Sequence, residues 1–217
     1  MFKKNRPTQK HQVHNLIILD ESGSMDSIKS FIIKGFNEVV QTVKGVAVQY
    51  PEQEHLISFV TFNGLGIKTI LFKEPVEKLN EIDANKYKPD SMTPLYDAMG
   101  FSFAKLKKEL AKVKDYNVLV TILTDGEENA SKEFSGKAIK QMIDELKKNR
   151  WTFTYIGADH DVEKFAATIN ITNVMTFSKN AEDIDYMFAK EKMAREIYSK
   201  KIRNQEATED DFYEEDK

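Results

Sequence analysis

Three short polar segments of this chain carry the residue types best suited to chemistry. They are Asp20-Glu21-Ser22-Gly23-Ser24-Met25, Ser91-Met92-Thr93-Pro94-Leu95 and Thr124-Asp125-Gly126-Glu127-Glu128. The segments supply hydroxyl and carboxylate oxygens, and they contain neither His nor Cys. Oxygen ligands of this kind suit hard divalent cations. The sequence therefore predicts a site for Mg²⁺, with Mn²⁺ or Ca²⁺ as the alternatives.

The spacing of the first segment supports convergence on one point. In an extended turn, alternate residues project to the same side, so Asp20, Ser22 and Ser24 can face one ion. Gly23 allows the backbone to bend sharply between the two serines.

Each segment also has a simpler interpretation that involves no metal. Ser24 or Asp26 could cap a following helix, and Thr93 before a proline is a typical helix N-cap. Asp125 followed by glycine could be only a turn.

The elements that must position these segments follow from hydrophobic patterning. Short apolar runs alternate with segments of helical period, which predicts an α/β fold of the doubly wound, Rossmann-like type, with helices on both faces of a mostly parallel sheet. The predicted strands are 16–19, 56–62, 67–72, 118–123, 151–156 and 173–177, and the predicted helices are 28–49, 95–113, 138–146, 162–169 and 181–204. Only four residues, including Asn63-Gly64, separate the second and third strands, so these two should form a hairpin with one antiparallel edge strand.

This architecture would bring the polar segments to one edge of the sheet. Ligands of open α/β sheets bind at the carboxyl ends of the strands. Asp20 and Asp125 directly follow two buried strands, and Thr93 directly precedes a helix. The hydroxyls and carboxylates of the three segments can therefore lie together at this edge.

Five positions within these segments, Asp20, Ser22, Ser24, Thr93 and Asp125, resemble the metal-ion-dependent adhesion site of von Willebrand factor type A domains. The pattern Asp20-x-Ser22-x-Ser24 is followed by the distant Thr93 and Asp125 in the expected order. The resemblance covers roughly residues 14–178, and it is closest to free-standing cytosolic members of the bacterial and phage type.

The resemblance implies a division of roles among these residues. Ser22 and Ser24 would bind the metal directly, Thr93 directly or through water, and Asp20 and Asp125 mostly through water. One coordination position would stay open for an Asp or Glu of a partner protein. The implied function is a metal-dependent protein-binding module without catalytic activity.

Other residues beside the predicted site are candidates for its ligand-binding rim. They are Glu21, Met25, Glu127, Asp159 and His160. Asp159 and His160 follow the strand 151–156 and could instead belong to a loop whose Asp161 caps the next helix. A glutamate of this rim acting as a base is the basis of the alternative function, a metal-dependent hydrolase or phosphatase.

Composition and charge bound the remaining possibilities. The chain has 217 residues, no Cys and a net charge of −3. The lack of Cys excludes disulfides, thiolate metal sites and cysteine nucleophiles. Residues 1–14 carry four basic residues, residues 206–217 carry seven acids and one Lys, and the body between them is nearly neutral. A nearly neutral body does not suggest nucleic-acid binding, and no run is apolar enough to span a membrane, so we expect a cytoplasmic protein.

The same patterns predict how the chain is divided. We expect a basic arm over 1–13, the main domain over 14–180, a C-terminal helix over 181–204 and a disordered acidic tail over 205–217. The tail could act as a self-ligand, because a carboxylate from residues 206–217 could occupy the open metal position.

Overall fold

A computed structural model describes residues 10–125, 128–157, 161–176, 181–208 and 211–213, without the side chains of 181–185. These residues form a six-stranded sheet in the order β3-β2-β1-β4-β5-β6. The strands are β1 (His11–Asp20), β2 (Gln53–Asn63), β3 (Gly66–Pro75), β4 (Tyr116–Thr124), β5 (Trp151–Gly157) and β6 (Asn173–Thr176). The β2–β3 hairpin is antiparallel, and the other pairs are parallel. The predicted fold class is confirmed.

Helices cover both faces of the sheet. They are α1 (Lys29–Gln49), α2 (Leu95–Leu110), α3 (Gly136–Lys147), α4 (Val162–Thr168) and α5 (Ala181–Asn204). Leu16 and Ile18 pack in the core with α2, α3 and α4, whereas Ile17 and Leu19 pack with α1 and α5. Successive strand side chains point to opposite faces of the sheet, and both sets are buried because helices cover both faces. No helix in the described ranges combines the length and hydrophobicity needed to cross a bilayer.

The first strand begins earlier than its apolar run indicates. β1 starts at His11, so the predicted arm over 1–13 extends too far. The polar first residues of the strand pair laterally with β2 and β4, and the His11 ring nitrogen Nε2 lies 3.0 Å from Oδ1 of Asn117. Backbone pairing and polar side-chain contacts therefore extend the strand beyond the hydrophobic pattern. Residues 1–9 lie outside the described part of the chain.

Two buried histidines in neighbouring strands should make the fold sensitive to acid. Burial lowers the pKa of both His14 and His55 to about 4, and each Nε2 lies 3.1 Å from the side-chain oxygen of the glutamine two residues earlier. Because the unfolded chain binds these protons near pH 6.5, stability is complete above that pH and falls as the pH drops towards 4. We expect a loss of about 1–3 kcal/mol per histidine, measured by urea unfolding at pH 7 and pH 4.5.

A double variant tests whether these two histidines cause the loss of stability in acid. His14→Gln combined with His55→Gln should flatten the decline of unfolding free energy between pH 7 and pH 4.5. An equally steep decline in the double variant would contradict it.

The C-terminal tail is ordered at the positions the structure describes, which corrects the prediction of disorder there. The Thr208 hydroxyl accepts a hydrogen bond from Asn117 (2.8 Å), and its carbonyl accepts one from the Thr152 hydroxyl (2.6 Å). Phe212 is 4% exposed, and its backbone N–H donates to Asn173. The acidic composition of the tail led to the prediction of disorder, although Phe212 is buried against the domain.

The position of the tail also corrects the self-ligand hypothesis for Glu206. Thr208, two residues later, contacts the amino ends of β4 and β5, whereas the predicted metal site lies at the carboxyl ends. A strand of this length separates the two edges by about 25 Å. Glu206 is therefore too far away to act within the same molecule. Five of the other six tail acids lie outside the described residues.

Candidate metal centre

Asp20 is the anchor of the candidate site. It ends β1, and its side chain is fully buried. Its Oδ1 accepts the backbone N–H of Ser22 (2.6 Å), and its Oδ2 accepts the hydroxyl of Thr124 at the end of β4 (2.6 Å). The carboxylate therefore connects the loop after β1 to the neighbouring strand and holds both in one orientation.

The two serines of the first segment face the aspartate of the third. Oγ of Ser22 lies 3.2 Å from Oγ of Ser24, and Oγ of Ser24 donates to Oδ1 of Asp125 (2.8 Å). The residue before α1 is Ile28, and no side chain caps that helix end. The Ser24 hydroxyl thus contacts the other candidate ligands rather than capping α1.

Thr93 lies in a loop that is hydrogen-bonded to the first segment. The backbone N–H of Gly23 donates to the carbonyl of Ser91 (2.9 Å). Thr93 is 3% exposed, its N–H donates to Oδ1 of Asn129 (2.9 Å), and its carbonyl accepts the Asn129 N–H (3.2 Å). The described residues of all three segments therefore lie at the carboxyl edge of the sheet.

Burial makes a negative charge at this site unfavourable. It raises the pKa of Asp20 to about 6, and the nearby Asp125 adds to the increase, while hydrogen bonds from Thr124 and Ser22 oppose it. Ionisation of Asp20 is thus less favourable in the folded protein than in a solvent-exposed aspartate. Burial and the charges of Asp20 and Asp125 also raise the pKa of Tyr87 and of Tyr155. A cation beside these carboxylates would remove this penalty.

The donor set fits a hard divalent cation. It consists of two carboxylates and three hydroxyls, contributed by Asp20, Ser22, Ser24, Thr93 and Asp125. Such oxygens are the ligands that Mg²⁺ and Ca²⁺ prefer. Within the described ranges no group of three or more His, Cys, Asp or Glu side chains is placed to hold a metal. The candidate site is of another kind, because neutral hydroxyls form most of it.

The predicted rim residues have different outcomes. Met25 is fully buried, and its sulfur accepts the backbone N–H of Asp125 (3.2 Å), so its assignment to the rim is wrong. Its side chain packs in the hydrophobic core beside the candidate site. Glu21 is 8% exposed, burial raises its pKa, and Nζ of Lys68 lies 3.9 Å away. Glu127, Asp159 and His160 lie outside the described residues.

Sequence reasoning missed three residues that hold the site together. Thr124 binds the carboxylate of Asp20, the Tyr87 hydroxyl donates to the Asp20 carbonyl (2.6 Å), and Asn129 clamps the backbone of Thr93. A hydroxyl directly before Asp125 was a usable signal for Thr124. Tyr87 and Asn129 lie in long polar stretches whose contacts arise only from the tertiary fold.

Comparisons with known proteins agree with the fold. The sequence profile described as "von Willebrand factor type A domain" matches residues 16–196. No curated protein is significantly similar to the chain. Among solved structures, it resembles proximal thread matrix protein 1 from the mussel byssus (14% identity, TM-score 0.53, 85% of this chain and 46% of that one).

Two further solved structures show the same fold. One is a von Willebrand factor type A protein from Catenulispora acidiphila (16% identity, TM-score 0.50, 86% of this chain and 44% of that one). The other is the SpRpn10 VWA domain (11% identity, TM-score 0.51, 82% and 94%). The chain thus spans a little under half the length of the mussel and Catenulispora proteins.

Proposed function

This chain belongs to the von Willebrand factor type A domain family, and on that premise we propose that it binds a partner protein through a divalent cation. The family is one of protein-interaction modules, and its members often bind divalent metals. The proposed cation is Mg²⁺, or Mn²⁺ or Ca²⁺, and the proposed partner group is the carboxylate of an Asp or Glu. The proposed setting is an intracellular assembly in the cytoplasm.

One observation carries the proposal. The oxygens of Ser22, Ser24 and Asp125 form a continuous chain with separations of 3.2 and 2.8 Å, directly beside the buried carboxylate of Asp20. Four oxygen-bearing side chains from two strand ends thus converge without a basic group among them. Such a cluster is unfavourable without a cation and favourable with one.

The residues of the chain would each contribute to holding a metal and its ligand. Ser22 and Ser24 would present neutral hydroxyls, and Asp20 would orient Ser22 through its backbone N–H. When bound, the cation supplies positive charge that these hydroxyls do not cancel, so it attracts an additional carboxylate. Thr93 and Asp125 would complete the oxygen set from the two neighbouring loops.

A hydrolase remains the alternative function, and the described glutamates offer it little support. Both carboxylate oxygens of Glu128 accept hydrogen bonds, from the N–H groups of Tyr96, Ala130 and Ser131 and from the Ser131 hydroxyl. A carboxylate held in this way is a poor general base. Glu21 is nearly buried beside Lys68. We therefore propose binding without catalysis.

Affinity capture with matched variants tests the proposal. Wild-type protein is immobilised beside Ser22→Ala and the control Ser30→Ala, which changes an exposed serine of α1. Proteins from a host lysate are collected in Mg²⁺ and in chelator. We expect to find partners that both wild type and Ser30→Ala retain in Mg²⁺. Chelation or Ser22→Ala should reduce the captured amount of these partners at least about tenfold. Partners retained equally under all conditions would contradict the proposal, as would turnover of a phosphoester panel that requires Mg²⁺ and Ser22.

A further inference from the structure

An aromatic cavity adjoins the candidate metal centre. It has a volume of about 560 Å³ and lies between the carboxyl ends of β4 and β5, the start of α2 and the helix α4. Asp125 belongs both to its wall and to the metal centre. A group bound at the metal would therefore lie beside the mouth of the cavity.

Three aromatic rings line this cavity in one continuous group. Phe165 is central: its ring stacks on Tyr96 with centroids 5.9 Å apart, and it lies 5.7 Å from the ring of Tyr155. Gly157 lets α4 pack closely against β5, because a Cβ there would lie 2.7 Å from the Val162 side chain. The wall is therefore held in place by packing of the sheet against α4.

The charges around the cavity disfavour a charged occupant of either sign. Carboxylates of Asp125, Glu128 and Asp161 line it, so a second anion would be repelled. Lys164 also lines it, and a divalent cation beside Asp125 would repel a positive group. A neutral aromatic ring avoids both penalties and can pack edge-to-face or offset against Phe165 and Tyr96.

We propose that this cavity binds an aromatic side chain of the partner protein, two residues from the carboxylate that reaches the metal. The proposal rests on the proposed function, because the metal-bound carboxylate positions the aromatic residue. Residues i and i+2 of an extended segment share one face and lie about 6.6–6.8 Å apart, a distance that fits a cavity sharing Asp125 with the metal site.

Synthetic peptides test this specificity directly. The probes are acetyl-Gly-Asp-Gly-Phe-Gly-amide and acetyl-Gly-Phe-Gly-Asp-Gly-amide, each matched with versions carrying Ala or Arg in place of Phe. Affinities are measured by NMR titration in Mg²⁺. We expect one Phe peptide to bind about tenfold more tightly than its Ala and Arg counterparts, as the burial of one aromatic ring predicts.

Variants of the protein test whether the higher affinity for the Phe peptide arises in this cavity. Phe165→Leu should reduce the Phe-over-Ala preference below about threefold and leave the affinity of the Ala peptide unchanged. Phe101→Leu, an exposed ring on α2 outside the cavity, is the matched control and should keep the full preference. If Phe165→Leu does not fold, Thr168→Trp on the exposed rim should block the cavity and have the same effect.

The outcomes separate this inference from the proposed function. Equal, Mg²⁺-dependent binding of the Phe and Ala peptides would contradict binding of an aromatic side chain in the cavity, and would leave the proposed metal-dependent function unaffected. A Phe preference that survives Asp→Asn in the peptide would overturn the coupling to the metal. If no Asp peptide binds in Mg²⁺, both proposals are contradicted.

Discussion

Asp20→Asn is expected to lower the affinity for Mg²⁺ about 100-fold while leaving the fold intact. The carboxylate of Asp20 is the only fully buried charge among the five candidate ligands. Its removal takes away the negative charge that a cation would neutralise. At 100 times the wild-type dissociation constant, the metal-induced stabilisation should fall from about 2.7 kcal/mol to about 0.4 kcal/mol.

The fold should tolerate this substitution because both hydrogen bonds can be kept. The amide oxygen can accept the N–H of Ser22, and the amide nitrogen can donate to the Thr124 hydroxyl, whose own hydrogen can rotate away. Without Mg²⁺ we expect the variant to be at least as stable as wild type, because the buried ionised carboxylate is gone. Thermal unfolding with and without Mg²⁺ provides both measurements.

Asp90→Asn is the matched control. Asp90 is exposed in the loop that contacts the first segment, and its backbone N–H, which the substitution preserves, donates to the Glu21 carbonyl (2.8 Å). The control should keep the full stabilisation by Mg²⁺. The assignment of Asp20 would be wrong if Asp20→Asn also kept it.

Arg195→Met is expected to have the largest effect on stability, a loss of about 3–5 kcal/mol. Arg195 is 3% exposed and lies between α5 and the sheet. Its guanidinium donates to Glu191 (2.8 Å), to Asn15 (3.2 Å) and to the hydroxyl of Thr121 (2.6 Å). Its removal would leave the carboxylate of Glu191, which is 1% exposed, without its partner charge.

A double variant shows whether the lost partner charge causes that effect. Glu191→Met combined with Arg195→Met removes both charges, so most of the loss should be recovered. Lys192→Met, at an exposed position of the same helix, should change the unfolding free energy by less than about 0.5 kcal/mol. Urea unfolding of the four proteins gives the comparison. A double variant as unstable as Arg195→Met would contradict the charge explanation.

Local patterns were sufficient to predict the sheet and to place oxygen-bearing side chains at its carboxyl edge. Short apolar runs and helical period located the six strands and five α-helices of the described residues, although strand ends were misplaced wherever polar residues such as His11 take part in pairing. Asp20, Ser22 and Ser24 were predictable together because they are close in sequence. The placement of Thr93 depended on the resemblance to a family, since no local pattern indicates which distant loop meets the first.

Contacts between distant segments could not be predicted from local composition. Tyr87 and Asn129 contact the site through loops whose paths depend on the whole fold. The tail illustrates the same limit: its acids suggested disorder, yet Phe212 fills a gap beside Tyr198, with ring centroids 5.8 Å apart. Burial of one aromatic ring contributes about 1.5–3 kcal/mol, which helps to order the described part of the tail.

The most direct test of the metal centre is a crystal structure with Mn²⁺, located by its anomalous scattering. We predict one strong peak at about 2.0–2.3 Å from the hydroxyl oxygens of Ser22 and Ser24, and no such peak in Asp20→Asn crystals grown under the same conditions. Saturating Mn²⁺ with no peak at this position, or an equal peak in Asp20→Asn, would contradict the proposal that these residues hold a divalent cation.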